Sequence, residues 1–186
     1  MLSRMKYINR WALMRNTRTE NISEHSLEVA TVAHALAVIR NTRFGGNVNA
    51  DRAAVLGVFH DAPEIITGDM PTPVKYYSKQ IREAYSQVED EACRALLDML
   101  PQDLREQYSS YFIKQDEDRE LWKLVKAADK ISAYIKCVEE AKAGNHDFDK
   151  AAKTNYETLT ATDMPEVKCF LDEFLDSYSL TLDEMN

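Results

Sequence analysis

A histidine and an aspartate stand side by side at residues 60 and 61, directly after the apolar run "AAVLGVF". Burying both polar groups costs several kcal/mol unless they are paired or coordinated. Neighbouring residues of a helix point about 100° apart, so the two side chains cannot hold an ion lying flush on their own helix. They can reach an ion in the groove between helices. The doublet is therefore either a hydrogen-bonded core pair or part of a metal site that needs ligands from other helices.

Two residues elsewhere in the chain could complete such a site. His25 lies in the first turn of a predicted helix, and Asp129 interrupts the otherwise apolar helix "LVKAADKISAY". The alternative for Asp129 is an exposed carboxylate that pairs with Lys126 or Lys130. A set of two imidazoles and two carboxylates suits manganese, iron, cobalt, nickel or zinc, but not calcium. The candidate ligands for one divalent transition metal are His25, His60, Asp61 and Asp129.

The two remaining histidines do not fit this site. His34 lies nine positions after His25, about 180° around the same helix, so both cannot face one ion. It has no acidic neighbour and is interpreted as a structural or surface residue. His146 forms a second His-Asp doublet, but it follows Gly144 at the start of a predicted helix, where Asp147 is expected to act as a cap.

The elements that must position these side chains are predicted to be helical. The chain has 186 residues, of which 45% are hydrophobic, with only five glycines and five prolines. This composition favours helices and fits one domain, so we expect a single all-α domain over residues 1–186. Apolar periodicity and capping residues predict helices near residues 2–13, 23–40, 51–64, 78–100, 102–108, 116–144, 147–160 and 164–177.

Three positions are expected to break the helical pattern. Pro63 should kink or end the third helix, because proline removes a backbone hydrogen bond and clashes with the preceding turn. Residues 68–73, Gly-Asp-Met-Pro-Thr-Pro, are not expected to be helical. In that segment Met70 and Thr72 precede prolines and should adopt extended geometry. Gly144 should end the long helix that contains Asp129.

Charge and cysteine content narrow the class of protein. The formal net charge of −8 argues against a partner that is a nucleic-acid polymer. Residues 1–18 nevertheless contain five basic residues and no acid, which suits a small anion. Three cysteines without a CxxC pair, and the absence of a signal peptide or membrane span, predict a reduced, cytoplasmic protein. Arg10 is the leading ligand for such an anion because a guanidinium can donate two parallel hydrogen bonds to an oxyanion; Arg15, Arg18 and Lys75 are interpreted as surface charges.

Three segments carry a resemblance to a known family. They are "INRWALMRNTRTENISEHSLEVA", "FHDAPEIITGDMPTPVKYY" and "KAADKISAYIKCVEE". Together with the His…His-Asp…Asp pattern, they resemble the HD-domain superfamily and, within it, the bacterial 5′-deoxynucleotidases of the YfbR type, over nearly the whole chain. The resemblance implies a homodimeric HD-domain enzyme that converts deoxyribonucleoside 5′-monophosphates to deoxynucleoside and phosphate. It also implies one divalent metal per active site, with cobalt as the favoured activator.

The resemblance also implies roles for individual residues. Glu64 matches the catalytic acid position, and we expect it to handle protons, either by orienting the attacking water or by protonating the 5′-oxygen as it leaves. Its alternative is a solvated helix residue before the turn. Arg10 and Trp11 match a pair that orients the phosphate and contacts the sugar, although Trp11 alone could equally be a core residue. Asp69 could accept a hydrogen bond from the sugar 3′-hydroxyl. The full set of implied substrate-binding residues is Arg10, Trp11, His60, Asp69, Met70, Pro71, Thr72 and Asp129.

Two alternatives to this function remain open at the level of sequence. The first is another HD-family hydrolase that acts on a triphosphate or an alarmone. Such enzymes are expected to carry more cations or more histidine ligands than this chain has. The second is a non-catalytic, nucleotide-binding HD module, which is expected to have lost ligands that are present here.

Overall fold

The computed structural model describes residues 1–185. Within that range the chain forms nine α-helices: α1 (Ile22–Arg43), α2 (Ala50–Phe59), α3 (Glu64–Thr67), α4 (Thr72–Lys75), α5 (Lys79–Asp98), α6 (Gln102–Phe112), α7 (Arg119–Lys142), α8 (Asp149–Thr160) and α9 (Pro165–Glu173). Short 3-10 helices connect or flank several of them. The described residues contain no β-strand, only an isolated bridge between Asn9 and Asn21. The predicted all-α architecture is confirmed.

Capping residues set the ends of the helices that carry the site. Asn21 accepts a hydrogen bond from the Glu24 amide, and the Glu24 carboxylate accepts one from the Asn21 amide. This reciprocal pair satisfies two amides that the helix itself leaves free. The Asn49 side chain caps α2 by accepting a hydrogen bond from the Arg52 amide, without a reciprocal bond. Gly144 follows α7 at φ 79°, a left-handed conformation that glycine adopts without steric cost.

Helix α1 is the centre of the fold and packs against α2, α7 and α9. Its contact with α2 is unusually close at one point. A Cβ atom added to Gly57 would lie 2.7 Å from the Ala30 Cα atom, so only glycine allows this approach. The core between these helices is aliphatic, and its fully buried members include Val29, Ala33, Leu36, Leu56, Leu124 and Ile131. The tight packing of α1, α2 and α7 is what brings His25, His60 and Asp129 towards one another.

The third predicted helix is interrupted, as Pro63 led us to expect, so it does not run unbroken to Glu64. Helix α2 ends at Phe59, and residues 60–63 form a turn before α3. The Ala62 amide donates to the Phe59 carbonyl and the Glu64 amide to the Asp61 carbonyl, each over only three residues. This tighter turn presents His60 and Asp61 at the end of α2, instead of on its side.

The prediction of a first helix over residues 2–13 is wrong. Only Leu2–Tyr7 is helical, as a 3-10 helix, and the chain then runs extended alongside the segment that precedes α1. The Arg10 amide donates to the Glu20 carbonyl, and the Ile22 amide donates to the Ile8 carbonyl, both at 2.9 Å. The apolar spacing that suggested a helix instead builds a small cluster of Met5, Ile8, Ile22 and Ile65.

Two further predictions need correction. Thr72 was expected to be extended, but it starts the one-turn helix α4, in which Pro73 takes an early position where its missing amide hydrogen costs nothing. Asp147 was expected to cap the helix after Gly144, whereas the Asn145 side chain accepts a hydrogen bond from the Asp147 amide and acts as the cap. Across residues 1–185, no helix combines the length and apolar character needed to cross a bilayer.

Candidate active site

The His-Asp doublet and His25 meet at a single point between helices α1 and α2. One nitrogen from each of His25 and His60 and one oxygen of Asp61 all lie within 4.8 Å of one another. The Asp61 Oδ2 atom is 3.4 Å from His25 Nε2 and 3.1 Å from His60 Nε2. His25 is completely buried, whereas the other two residues are partly accessible. The cluster therefore has a closed floor and an open side.

Asp129 reaches the same cluster from α7. Its Oδ1 atom lies 3.2 Å from His25 Nε2 and 3.8 Å from the Arg10 Nη2 atom. The alternative of an exposed carboxylate paired with a neighbouring lysine does not describe this residue. Asp129 lies at the edge of the cluster, between the imidazole of His25 and the guanidinium of Arg10.

The hydrogen bond that each histidine makes through its Nδ1 atom determines which nitrogen carries the proton. His25 Nδ1 lies 3.0 Å from the Ser132 hydroxyl, which itself donates to Glu28. Since that hydroxyl proton is already engaged, His25 Nδ1 must carry the hydrogen and donate. His60 Nδ1 lies 2.7 Å from the Gly57 carbonyl, which can only accept. In the neutral form of each ring, therefore, Nε2 carries a lone pair directed at the cluster.

These lone pairs are what fits the residues to a metal ion. Both Nε2 atoms are buried and have no hydrogen-bond partner. Each faces carboxylate oxygens that also carry lone pairs, and such an arrangement is repulsive unless a cation or a proton lies between them. Histidines whose Nδ1 donates to a carbonyl or to a hydroxyl–carboxylate pair are typical of metal sites. The donor set of two imidazoles and two carboxylates suits a first-row divalent ion.

The same geometry sets the charge of the carboxylates. Burial would raise the pKa of Asp61, but the nearby His60 and His25 rings outweigh it and hold the pKa well below its usual value. Burial likewise opposes ionisation of Asp129, yet the interaction with His25 lowers its pKa to about 2. Burial and Arg10 would lower the pKa of His25, but the two aspartates raise it. In the metal-free protein a proton therefore competes for the position that a cation would take.

Glu64 behaves in the opposite way to the aspartates. Its side chain is buried, and its Oε2 atom has no hydrogen-bond partner. Burial, reinforced by the negative charges of Asp61 and Asp69, raises the pKa of Glu64 to about 9. In the metal-free protein at neutral pH this carboxyl group consequently carries a proton. A pair of carboxyl groups with pKa values pushed apart in this way is typical of acid–base sites.

Arg10 and Trp11 lie beside the cluster on the extended N-terminal segment. The Arg10 side chain is only 12% exposed and contacts Asp129 on one side and Glu20 on the other. Trp11 adopts φ 58°, the only left-handed backbone conformation among the described residues other than glycine. Its ring packs edge-on against Phe148, with 5.3 Å between the ring centroids. Trp11 is therefore half-buried instead of being a core residue of a helix.

The segment at residues 69–72 contributes unevenly. Asp69 lies within range of the charges of Arg10 and Asp61, and burial is the main cause that raises its pKa. Met70 and Pro71 are half-buried, and Thr72 is exposed. The side chains of these three residues make no hydrogen bond to the cluster in the part of the chain that the structure describes.

The other charged residues considered from the sequence lie away from the cluster. His34 is half-exposed with Asp51 3.5 Å away, and His146 is exposed next to Asp149. The side chains of Arg15 and Arg18 are 81% and 75% exposed. Lys75 is the exception, because it is partly buried, pairs with Glu89 and lies within charge range of Glu64.

Several residues that support the site could not be identified from the sequence. They are Glu20, which contacts Arg10 and Trp11, the Ser132–Glu28 pair behind His25, and Glu140. The buried Glu140 carboxylate accepts hydrogen bonds from the Thr17 amide and hydroxyl and from the Asn145 side chain, and pairs with Lys136. The signal for Glu140 and Lys136 was their spacing of four residues on α7, but nothing local indicates their distant partners.

The fold and the His-Asp cluster define a metal-dependent phosphohydrolase of the HD-domain class. An HD-domain phosphohydrolase from Listeria innocua superposes with a TM-score of 0.82 at 25% identity, covering 95% of this chain and 85% of that one. The HD phosphohydrolase DatZ of cyanophage S-2L, described as bound to dA and one catalytic Zn²⁺ ion, has the same fold, with a TM-score of 0.63 at 22% identity over 96% of this chain and 94% of that one.

Sequence comparison places the chain within that class. The profile of the 5′-deoxynucleotidase YfbR-like family matches residues 1–178. The Escherichia coli 5′-deoxynucleotidase YfbR is 52% identical over 186 residues, which cover all of this chain and 93% of that protein. A 5′-deoxynucleotidase of Photobacterium profundum is 50% identical, over all of this chain and 95% of that protein. The chain belongs to the YfbR-like 5′-deoxynucleotidase family.

Proposed function

We propose that the protein hydrolyses deoxyribonucleoside 5′-monophosphates to deoxynucleosides and inorganic phosphate. The observation that carries the proposal is the pair of buried, unpartnered Nε2 atoms of His25 and His60, which face two carboxylates beside the buried carboxyl group of Glu64. Arg10 adds a cation at the same place. A cation site, a carboxyl group that can donate a proton and a guanidinium lie within one cluster, and hydrolysis of a phosphomonoester requires all three.

His25, His60, Asp61 and Asp129 are proposed to hold one divalent metal ion. Such an ion, when bound, supplies Lewis acidity to a phosphoryl oxygen and lowers the pKa of a water molecule. Cobalt is proposed as the favoured activator on the basis of the family resemblance, and manganese, iron, nickel and zinc suit the same donor set. The zinc of the cyanophage relative is consistent with this range of ions.

Arg10 is proposed to orient the phosphate. Its Nη1 atom is engaged by Glu20 at 2.9 Å, while Nη2 is 3.8 Å from Asp129, too far for a good hydrogen bond. The guanidinium therefore keeps donor capacity for a phosphoryl oxygen. In a buried position such a charge-assisted contact is stronger than it would be in water.

Glu64 is proposed as the general acid. As the oxygen of the attacking water bonds to phosphorus, the bond from phosphorus to the 5′-oxygen breaks, and its electron pair stays on that oxygen. The Glu64 carboxyl proton moves to the 5′-oxygen, and the proton that the water loses restores the carboxyl group. The raised pKa of Glu64 favours this role, because a carboxyl group with an ordinary pKa would hold almost no proton at neutral pH.

The sugar is proposed to be read by residues on two sides of the cluster. Trp11 offers a ring wall that would crowd a 2′-hydroxyl, and Asp69 can accept a hydrogen bond from the 3′-hydroxyl. Met70, Pro71 and Thr72 are proposed to line the remaining side. Since none of these contacts needs a particular base, we expect discrimination by sugar to exceed discrimination by base.

Three wider features are also part of the proposal. The whole chain is taken as one HD domain, the enzyme as a homodimer, and its location as the cytoplasm. The homodimer is supported by the family resemblance. The location is supported by the three cysteines, all of which are free thiols. The negative net charge is the reason for not proposing a nucleic-acid polymer as partner.

The test is a substrate panel run with purified protein and several divalent metals. We expect phosphate to be released from deoxythymidine monophosphate, but not from deoxythymidine triphosphate or from the matching ribonucleoside monophosphate. Activity on triphosphates instead would favour the alternative of another HD-family hydrolase with a triphosphate substrate. A protein that binds no divalent ion and releases no phosphate with cobalt or manganese would be a nucleotide-binding module, and the proposal would be wrong.

A further inference from the structure

We infer that Glu20 is a positioning residue that locks the phosphate-orienting Arg10 and the sugar-facing Trp11 to each other, and so sets the preference for deoxyribose. The inference rests on the proposed function and adds to it a specificity-determining residue. Its basis is a single carboxylate that contacts two adjacent side chains nine and ten residues earlier in the chain.

One oxygen atom of Glu20 makes both contacts. The Oε2 atom accepts from Arg10 Nη1 at 2.9 Å and from Trp11 Nε1 at 3.1 Å. The Glu20 side chain is only 13% exposed, and that of Arg10 12%, so water competes little for these hydrogen bonds. The backbone adds a third link, since the Arg10 amide donates to the Glu20 carbonyl at 2.9 Å. Glu20 therefore fixes the distance between the guanidinium and the indole.

The conformation of Trp11 shows why such a constraint is needed. A residue with a bulky side chain at φ 58° is strained, and it persists only when its surroundings impose the conformation. Asn16 donates to the Trp11 carbonyl at 3.2 Å and to the Met14 carbonyl, which closes the turn from behind. Glu20 holds the indole itself, by accepting the hydrogen bond from its Nε1 atom. Without it, the indole would keep the edge contact with Phe148 but lose its polar anchor.

This arrangement couples two recognition events. A phosphate bound to Arg10 and a sugar in contact with Trp11 belong to one small substrate, so their separation must match that of the two side chains. Displacements of about 1 Å at such positions can change rates by orders of magnitude. Loss of the Glu20 anchor should therefore reduce the discrimination between deoxyribose and ribose, and it should leave metal binding unchanged.

The experiment compares Glu20→Ala, Glu20→Gln and the control Glu139→Ala with wild type. Glu139 is an exposed residue that lines the same surface cleft as Glu20. For each protein, kcat/KM is measured for a deoxyribonucleoside monophosphate and for the matching ribonucleotide. Inhibition by inorganic phosphate, bound metal per chain and the thermal unfolding midpoint are measured alongside.

We expect Glu20→Ala to lower the ratio of deoxyribo to ribo kcat/KM by about tenfold or more and to weaken inhibition by phosphate, with bound metal unchanged. Glu20→Gln keeps one oxygen that can accept from both donors, so its ratio should stay within about threefold of wild type. Glu139→Ala should match wild type. A folded, metal-loaded Glu20→Ala protein with the wild-type ratio would overturn the inference.

Failure of the inference and failure of the proposed function give different results. Wild-type protein that releases no phosphate from deoxyribonucleotides contradicts the proposed function, whatever the variants do. If Glu20→Ala does not fold, Glu20→Asp decides, because aspartate keeps the negative charge and leaves the indole intact but is one methylene too short to keep both contacts of the Oε2 atom. A lowered ratio in that variant supports the inference, and an unchanged ratio contradicts it.

Discussion

The buried carboxyl group of Glu64 leads to a prediction about stability as well as activity. Its pKa is about 9 in the folded protein and 4.5 as a free side chain. A raised pKa means that the folded state prefers the protonated form, so the stabilisation is complete below pH 4.5 and is lost as pH rises towards 9. At pH 7, about 2.5 pH units above the free value, the loss is about 3 kcal/mol, since each pH unit is worth about 1.4 kcal/mol.

Glu64→Gln should remove that pH-dependent term. Glutamine has the shape of a protonated glutamate and cannot ionise, so we expect the metal-free variant to be more stable than metal-free wild type by up to about 3 kcal/mol at pH 7. The difference should shrink to about 1 kcal/mol at pH 5. At the same time the variant should keep its metal and lose about 10²- to 10⁴-fold in kcat, because it has no proton to give.

Urea denaturation of the chelator-treated proteins at pH 5, 7 and 8 measures the stability difference, and phosphate release measures kcat. Glu91→Gln, on an exposed face of α5, is the matched control and should show neither effect. A stability difference that does not change between pH 5 and pH 8 would refute the raised pKa. Activity within about tenfold of wild type would refute the role of Glu64 as the acid.

Three more outcomes follow from the contacts of helix α7. Asp129→Ala should reduce bound metal, measured by elemental analysis, and an unchanged content would remove Asp129 from the ligand set. Ser132→Ala takes away the acceptor that orients His25, so metal affinity should fall by about 10- to 100-fold in a titration, whereas an unchanged affinity would contradict the assigned tautomer. Glu140→Gln should destabilise the fold by about 3 kcal/mol at pH 7, because it leaves Lys136 buried without its partner. Burial opposes ionisation of Glu140, but Lys136 and its other hydrogen-bond donors hold its pKa well below 4.5. The stability advantage of wild type over Glu140→Gln should therefore shrink as pH falls below 4.5. Urea denaturation measures this difference at pH 7 and pH 3, and an equal difference at both would contradict the lowered pKa.

Local signals in the sequence predicted most of the helices and the cluster itself. The proline at residue 63 and the glycine at residue 144 each act within a few residues, and both predictions are confirmed. His60 and Asp61 could be selected because polar groups at the end of an apolar helix need a compensating partner. The helical spacing of His25 and His34 then showed that only one of them could share the site.

The errors arose where distant contacts override local preference. Residues 8–10 have helix-like apolar spacing, yet they pair with residues 20–22, and periodicity carries no information about that pairing. Glu140 and Thr17 are 123 residues apart, and Ser132 and Glu28 are 104 apart. The residues that position the site are consequently the ones that the sequence did not reveal, although the family resemblance indicated those proposed to contact metal or substrate.

Helix α7 concentrates these tasks along one line. Asp129, Ser132, Lys136 and Glu140 follow one another at spacings of three, four and four residues, so they share one face of the helix. An inserted or deleted residue between Ser132 and Lys136 would turn everything beyond it by about 100° and separate the cation cluster from the segment around Thr17. Length changes should therefore be absent from this part of α7 in active homologues, while the connection between α6 and α7 can vary.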